Sequence, residues 1–443
     1  MWLAILLCGL SVNSCTSNSD GTPAREPEPC SYGFFTEAVN TLIDANYPEV
    51  QANGYAKLVI PKSLYTEGRF TFPANAARDM QYMLDAGYEV YVNGGTVRDG
   101  VMGTASHDVD FSTNASIDQI LATVPNAKSF NAFRNIWVVK AYHDGDLETD
   151  IAPIFSIFPE YSGKGNVPVT KFPDTPYCND LLEDTYSRDF TFNSLYYDYK
   201  TGDIIDYHGG LHDLREGVVN SVITADLEVT EDPRIILRGL RFAAKYDFTI
   251  GKELDKAYND HIDALEKLNT YNSVYQMESG LNGGFALKYF KLLEQYKVTD
   301  YFLTSLKDRL QTTDYKTFVE GMLGEFDKAG KADAALAWAA IFWPRVAADI
   351  KAGASKEDVA AVWNTIDAEN RENFKFDYKD YTYIPEFMQQ VWLLQFLMTD
   401  KANQTGAKAA EIRTMDHYAE ALRFLKARAA LDSSLAAAAN FWQ

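Results

Sequence analysis

The chain has 443 residues, of which 47% are hydrophobic and 23% charged, and its formal net charge is −21. A chain of this size and apolar content can bury a large core and is expected to form about two to four domains. The negative charge argues against a protein that binds nucleic acid over its whole surface. Any polynucleotide partner would have to meet a local basic patch.

The N-terminal segment 1–30 has the features of an export signal followed by a linker. The apolar run from Trp2 to Leu10 is too short to span a bilayer but suits a secretory signal. Ser14 before Cys15 resembles a bacterial lipoprotein cleavage site, which predicts a lipid anchor on Cys15 and export. No Lys or Arg precedes the run, which instead favours a mis-assigned start codon and a cytoplasmic protein. Both alternatives stay open.

Predicted strands and helices alternate over residues 71–215, after a mixed, aromatic-rich N-terminal extension at 31–70. A helical pattern runs from Ala76 to Gly87, a residue type that commonly ends helices. A second, short helix is predicted from Thr96 to Met102. Strand periodicity is found at Glu89–Val92, around Val109 and Phe111, and at Ile136–Ala141, Glu148–Ile154 and Leu195–Asp198.

The pattern becomes helical in the second half of the chain. Asp232 to Phe242 is predicted as a helix, and the remainder is rich in Ala, Leu and Lys at helical spacing. We therefore expect an α+β head with a mixed sheet at 71–215, a helical neck at 216–300, and a helical body and tail at 301–443.

Two aspartates in one predicted strand are the first candidates for chemistry. Asp108 and Asp110 are two residues apart, so their carboxylates project from the same face. Such neighbours repel unless a cation lies between them, and a pair of Mg²⁺ ions is the natural partner. An isolated Asp-x-Asp is most often only a solvated strand face, so the surrounding sequence decides.

A glycine turn stands one short helix upstream of these aspartates. Gly94 and Gly95 separate a strand from a helix, which lets the backbone approach a ligand closely. The N–H groups at a helix start favour phosphate, and Arg98 adds a positive charge on the first turn. The sequence thus predicts a phosphate cradle beside a metal site.

Four ordered motifs resemble those of class II tRNA nucleotidyltransferases (CCA-adding enzymes) and bacterial poly(A) polymerases. The resemblance covers roughly residues 76–250. The motifs are Gly94-Gly95-x-Val97-Arg98-Asp99 with Asp108-x-Asp110, Arg188-Asp189-Phe190-Thr191-Phe192-Asn193, Gly209-Gly210-Leu211-His212-Asp213-Leu214, and Glu231-Asp232-Pro233 continuing to Arg238-Gly239-Leu240-Arg241.

The resemblance implies a polymerase-β-like head and two-metal chemistry. Asp108 and Asp110 would hold two Mg²⁺ ions, and a third carboxylate is expected on a neighbouring strand. Asp150 fits that position better than Glu148, although either could be an ordinary exposed acid.

Further residues are implied to bind the nucleotide. Arg188, Asp189 and Asn193 would contact ribose and phosphates, since Asp and Asn suit sugar hydroxyls and Arg suits phosphate. The helix after Asp232 would read the base, with Arg238 and Arg241 also directed at the nucleotide. Arg234, Arg238, Arg241 and Lys245 form one basic stripe, which could face triphosphate or RNA, or could simply be solvated.

The base-reading helix departs from the family pattern. The family has an arginine three positions after the aspartate, but here that position is Ile235 and the arginine is Arg234. A shift of one residue turns a helical side chain by about 100°, so Arg234 cannot simply take over the role. Asp232 could then be only a helix cap before Pro233. Which nucleotide is added is left open.

The leading hypothesis is template-independent, Mg²⁺-dependent transfer of AMP or CMP from ATP or CTP to an RNA 3′ end. The first expected substrate is tRNA, with poly(A) addition as the next expectation, and no obligate protein partner is inferred. The alternative is an exported, lipid-anchored module that reuses the head to bind a nucleotide or a partner.

Overall fold

The structure is a computed structural model. It describes residues 33–104, 109–133, 136–143, 148–155, 180–268, 270–330, 333–350, 354–373 and 383–443. Cys15 and the signal-like segment lie outside the described residues.

The described strands and helices are as follows. The strands are β1 (Leu58–Ile60), β2 (Val90–Asn93), β3 (Asp110–Thr113), β4 (Ala127–Phe133), β5 (Ile136–Tyr142), β6 (Glu148–Pro153), β7 (Tyr196–Asp198), β8 (Ile204–Asp206), β9 (Val218–Val219) and β10 (Thr249–Ile250). The α-helices are α1 (Glu37–Asn53), α2 (Ala74–Asp85), α3 (Gly95–Met102), α4 (Ile117–Thr123), α5 (Leu181–Thr185), α6 (Gly210–Glu216), α7 (Ala225–Glu231), α8 (Arg234–Tyr246), α9 (Lys252–Asp260), α10 (Thr270–Leu281), α11 (Ala286–Gln295), α12 (Thr299–Phe302), α13 (Lys307–Leu310), α14 (Thr313–Lys328), α15 (Ala334–Asp349), α16 (Lys356–Asn373), α17 (Tyr383–Thr399), α18 (Gly406–Arg413), α19 (Tyr418–Leu431) and α20 (Ala436–Phe441). Short 3₁₀ turns lie at Lys62–Leu64, Thr191–Asn193, Ile262–Lys267, Thr304–Leu306, Lys401–Asn403 and Ser433–Leu435.

The described part of the head is built on an eight-stranded mixed sheet in the order β1-β8-β7-β2-β3-β6-β5-β4. β3 and β6 pair in parallel, whereas β2 pairs with both β3 and β7 in the antiparallel sense. Strand β1 pairs with β8 at one edge, so the segment 31–70 contributes to the sheet. The predicted α+β head is confirmed.

One face of the central strands is buried under helices. Val92, Phe111 and Ile151 lie side by side on β2, β3 and β6, and none of the three is exposed to solvent. Because strand side chains alternate between faces, this register sends the neighbouring aspartates of β3 and β6 to the opposite face. The packing of these apolar side chains thereby fixes which residues of β3 and β6 point to the opposite face of the sheet.

The second half of the described chain is helical, as predicted. α8 packs on α10 and α11, and the later helices pack on one another through α14, α15, α17 and α19. The two-residue strands β9 and β10 form a separate parallel pair. Within the described residues, none of the helices combines the length and apolar character that a bilayer crossing requires.

Candidate active site

The candidate metal site is built on the start of β3. Asp110 is the first residue of this strand and is exposed, while Asp108 lies outside the described residues. Asp150 of β6 is the register partner of Asp110 in the parallel pair. Adjacent strands are about 4.8 Å apart, so the two side chains leave the sheet side by side on one face. Two carboxylates predicted from separate motifs therefore come together.

A lysine lies beside these two aspartates on the next strand of the sheet. Lys140 of β5 is the register partner of Asp150, and its Nζ lies 3.2 Å from Asp150 Oδ1. The same Nζ donates to Glu148 Oε2. The pKa of Lys140 is raised above its ordinary value, chiefly by the hydrogen bond to Glu148. Partial burial lowers this pKa, and Asp150 raises it further. Lys140 was not among the predicted site residues.

The glycine turn lies beside the same end of the sheet. Val92 of β2 pairs with Phe111 of β3, so the turn that follows β2 adjoins the start of β3. Gly94 has φ of +64°, a conformation that side-chain-bearing residues rarely adopt, and Gly95 begins α3. The first turn of α3 thus follows the end of β2 that adjoins the start of β3, which is the arrangement expected of a phosphate cradle beside Asp110.

Arg98 is held rigidly on α3. Its Nη1 donates to Asn193 Oδ1 at 2.6 Å, and its Nε and Nη2 donate to Asp99 Oδ1 at 2.9 and 2.8 Å. The guanidinium also lies over the rings of Phe242 and Tyr246 on α8. These contacts fix a positive charge one turn from the glycine turn.

Asp189 connects the head to helix α8. Its carboxylate accepts hydrogen bonds from Asn193 Nδ2, from the Phe190 N–H, and from Arg238 Nε and Nη2. Burial alone would raise the pKa of Asp189, but Arg238 and these hydrogen bonds outweigh it and hold the pKa below its ordinary value. The predicted residues Asp189, Asn193 and Arg238 therefore form one network.

Arg188 is engaged inside the head. Its Nη1 donates to Asn93 Oδ1 at 3.0 Å, and its Nη2 lies 3.3 Å from Asp184 Oδ2. Asp184 has no solvent exposure and also accepts from the Tyr196 hydroxyl and from Ser112. We expected Arg188 to contact phosphate, but this structure shows it as the partner of a buried carboxylate.

The start of α8 carries the altered base-reading position. Asp232 accepts from the Arg234 backbone N–H and is paired with the Arg234 guanidinium at 2.7 and 2.6 Å. Ile235 is 1% exposed and packs into the core. Asp232 thus accepts a hydrogen bond just before α8, whose N-cap residue is Pro233, and Ile235 offers no side-chain donor. Glu228 lies nearby, and burial, followed by Asp189 and Asp232, raises its pKa well above the ordinary value.

The predicted basic stripe on α8 divides into different environments. Arg234 and Arg238 are paired with acids, whereas Arg241 is half-buried and its buried Nε has no hydrogen-bond partner among the described residues. Burial, then the charge of Arg238, lowers the pKa of Arg241. Lys245 is exposed and lies over the Tyr246 ring. The stripe is therefore only partly a solvated face.

Asp184 and Lys140 were not predicted as site residues, although features of the sequence could have indicated both. Asp184 stands four residues before Arg188, a spacing that brings side chains together on a helical turn. Lys140 lies in the strand before the one that carries Glu148 and Asp150, and pairing these strands as a hairpin places it among those acids. The first relationship is local, whereas the second depends on pairing between two strands, which a single motif does not reveal.

The donor set fits a hard divalent cation. Among the described residues, no group of three or more His, Cys, Asp or Glu side chains is arranged to hold a metal ion. Asp110 and Asp150 nevertheless present carboxylate oxygens side by side, and Mg²⁺ takes oxygen ligands of this type, often only one or two from the protein.

Comparison with known proteins supports the resemblance inferred from the motifs. Residues 90–220 match the family described as the poly A polymerase head domain. A CCA-adding enzyme of Streptococcus uberis is 29% identical over 246 residues, covering 55% of this chain and 56% of that enzyme. Poly(A) polymerase I of Salmonella typhi is 32% identical over 201 residues, covering 44% of this chain and 42% of that enzyme. The chain spans about half the length of the curated relatives it matches.

Solved structures share the fold over a greater length. The CCA-adding enzyme of Bacillus stearothermophilus in complex with CTP gives a TM-score of 0.56 at 19% identity, covering 85% of this chain and 82% of that chain. The Thermotoga maritima CCA-adding enzyme complexed with tRNA gives 0.53 at 18% identity, covering 81% and 79%. At these identities the likeness shows the fold, and it confirms the predicted head followed by a helical body.

Proposed function

We propose that this chain, which carries the head domain of the poly(A) polymerase and CCA-adding enzyme family, transfers nucleotides from nucleoside triphosphates to the 3′ end of RNA. The observation that carries this proposal is the register of Asp110 and Asp150 beside the Gly94-Gly95 turn. The two carboxylates proposed to hold the cation and the helix start proposed to bind phosphate are thereby adjacent. Nucleotidyl transfer requires both at the same place.

The cation is proposed to be Mg²⁺, held by Asp110 and Asp150 together with Asp108. When bound, Mg²⁺ lowers the pKa of the RNA 3′-hydroxyl and offsets the charge of the departing pyrophosphate. The 3′-oxygen forms a bond to the α-phosphorus as the bond between that phosphorus and the bridging oxygen of the β-phosphate breaks. The hydroxyl proton leaves to water.

The protein's own residues orient the triphosphate. N–H groups on the first turn of α3 are proposed to donate to phosphate oxygens, and Arg98, which Asn193 holds in place, is proposed to add positive charge beside them. Asp189 and Asn193 are proposed to receive the ribose hydroxyls, although both already share hydrogen bonds with Arg238 and Arg98. Binding of the sugar would then exchange some of these contacts.

The substrate is proposed to be tRNA that lacks its 3′ end, with ATP and CTP as nucleotide donors. Relatives with this head domain are CCA-adding enzymes and poly(A) polymerases, and one solved neighbour is in complex with tRNA. The net charge of −21 predicts that RNA binding is local to the site region and weakens as salt is added.

Labelled nucleotide incorporation tests the proposal. The full chain is incubated with Mg²⁺, each NTP in turn and in mixture, and either a tRNA transcript lacking its 3′ end or an unstructured RNA. Short additions confined to tRNA support CCA or A addition, and long tails on both RNAs support poly(A) addition. If no RNA is extended with any NTP while an active CCA-adding enzyme extends the same tRNA, the proposed function is wrong.

A further inference from the structure

A row of three charged side chains crosses the sheet at the candidate metal site. Asp110 on β3 pairs in register with Asp150 on β6, and Asp150 pairs in register with Lys140 on β5. Register partners in a sheet project from the same face. An ammonium group therefore stands directly beside the carboxylate that is expected to be the third metal ligand.

The position of this ammonium group is well defined. Lys140 Nζ lies 2.5 Å from Glu148 Oε2 and 3.2 Å from Asp150 Oδ1, so it is shared between two carboxylates of one strand. Its side chain is 28% exposed, so the ammonium group is accessible to solvent but restricted in position. The Phe130 ring also lies near Nζ. Lys140 is therefore held against Asp150 before any substrate arrives.

We propose that Lys140 is a positioning residue that competes with the divalent cation for Asp150, and that Glu148 is the alternative partner to which its ammonium withdraws when the cation binds. This inference rests on the proposed function. It adds a built-in control of metal uptake by a residue that lies outside the four motifs.

The charges of Asp110, Asp150 and Lys140 partly balance one another. Asp110 and Asp150 repel each other as neighbours, and the ammonium of Lys140 offsets that repulsion while the site holds no cation. A divalent cation at Asp150 would be repelled by an ammonium only 3.2 Å from the same carboxylate. Because Glu148 already shares Lys140, the ammonium can stay paired while releasing Asp150. Lys140 should thus weaken metal binding in the absence of nucleotide.

Two substitutions are expected to shift metal affinity in opposite directions. Lys140→Met removes the competitor, so Mn²⁺ should bind about five-fold more tightly without nucleotide. Glu148→Gln leaves the ammonium with Asp150 alone, so Mn²⁺ should bind several-fold more weakly. In the double variant Lys140→Met/Glu148→Gln the competitor is absent, so its affinity should match that of Lys140→Met.

Lys128 provides a matched control. It is the register partner of Lys140 on β4, so Lys128→Met removes the same charge one strand farther from Asp150. Its Mn²⁺ affinity should stay within about two-fold of that of the unmodified chain, because the distance to Asp150 is greater. Binding is measured on the full chain by the electron paramagnetic resonance signal of free Mn²⁺, and circular dichroism checks that each variant is folded.

The possible outcomes separate this inference from the proposed function. Unchanged or weaker Mn²⁺ binding in folded Lys140→Met, with measurable binding in the unmodified chain, would overturn the role of Lys140 alone. A Glu148→Gln effect that persists in the double variant would also overturn it, since Glu148 would then be a ligand itself. If neither the unmodified chain nor Lys140→Met binds Mn²⁺, the metal site of the proposed function is wrong.

Discussion

Arg238, in the middle of α8, forms an ion pair with Asp189 of the head, with Nε 2.8 Å from Oδ2. Asp189 also accepts from Asn193, which in turn accepts from Arg98 on α3. A continuous series of hydrogen bonds therefore joins α8 to α3, the helix that follows the glycine turn. The site depends on this connection, because it fixes Arg98 and Asn193 relative to each other.

Breaking the connection should cost both stability and nucleotide binding. Arg238→Met leaves the Asp189 carboxylate, which is 15% exposed, without its cation. We expect the free energy of unfolding to fall by about 2–3 kcal/mol, because a largely buried charge loses its partner. Denaturation in urea gives the stability, and the KM for NTP should rise in parallel.

Arg234 supplies the matched control on the same helix. Its ion pair with Asp232 is exposed, with side chains 42% and 37% accessible. Arg234→Met should therefore change stability by about 0–1 kcal/mol only. Equal losses for Arg234→Met and Arg238→Met would contradict the assigned difference between the two pairs.

Discrimination between ATP and CTP should be weak. Ile235 is 1% exposed and apolar, so it cannot hydrogen-bond a base edge where the family has an arginine. Sites that bind a substrate through such hydrogen bonds reject analogues strongly, whereas sites without them discriminate only about ten- to a hundred-fold. We expect kcat/KM for the two nucleotides to lie within this range. A preference of a thousand-fold or more would show that other groups read the base.

Arg188 should act on stability more than on phosphate binding. Its Nη2 contacts the fully buried Asp184, so Arg188→Met would leave that carboxylate without its cationic partner. We expect a loss of about 3 kcal/mol in the free energy of unfolding. Arg188→Lys, which keeps the charge, should lose less. A stable Arg188→Met variant with a raised KM for NTP would instead support the phosphate contact inferred from the motif.

The buried histidine at the end of β8 should make stability depend on pH. Burial lowers the pKa of His208 from 6.5 to about 4, so between these values the unfolded chain binds more protons than the folded one. Stability from His208 therefore rises as pH increases from 4 to 6.5 and is lost as pH falls, by roughly 3 kcal/mol in total.

A neighbouring carboxyl has the opposite effect. Burial raises the pKa of Asp206 from 3.8 to about 6, so its contribution to stability falls as pH rises through that interval. Substituting His208→Gln should leave this downward slope and remove the upward one. Melting temperatures measured from pH 4 to 7 test this, and identical profiles for the variant and the unmodified chain would contradict it.

Much of the head could be predicted because its motifs fix local structure. The short helix predicted from Thr96 to Met102 is α3, and it ends at Gly103 in the left-handed conformation, as a helix-terminating glycine should. Asp150 was chosen by its local pattern, and the structure places it beside Asp110.

What the sequence did not reveal depends on contacts between different strands and helices. The orientation of Arg188 is set by Asp184, Asn93 and Tyr196, which belong to three different elements. The role of Lys140 depends on strand register, which no single segment displays. The lipid anchor at Cys15 and the cellular location stay predictions, since that segment lies outside the described residues.

Single-turnover incorporation into tRNA tests most directly whether Asp110 and Asp150 act together in nucleotidyl transfer. The variants Asp110→Asn and Asp150→Asn keep the side-chain shape but remove the charge that would hold the cation. Asp118→Asn, at an exposed acid on α4, is the control. We predict that both site variants lose at least about a thousand-fold in rate while Asp118→Asn stays within about two-fold. A folded Asp110→Asn or Asp150→Asn variant that incorporates nucleotide at the unmodified rate would contradict the claim.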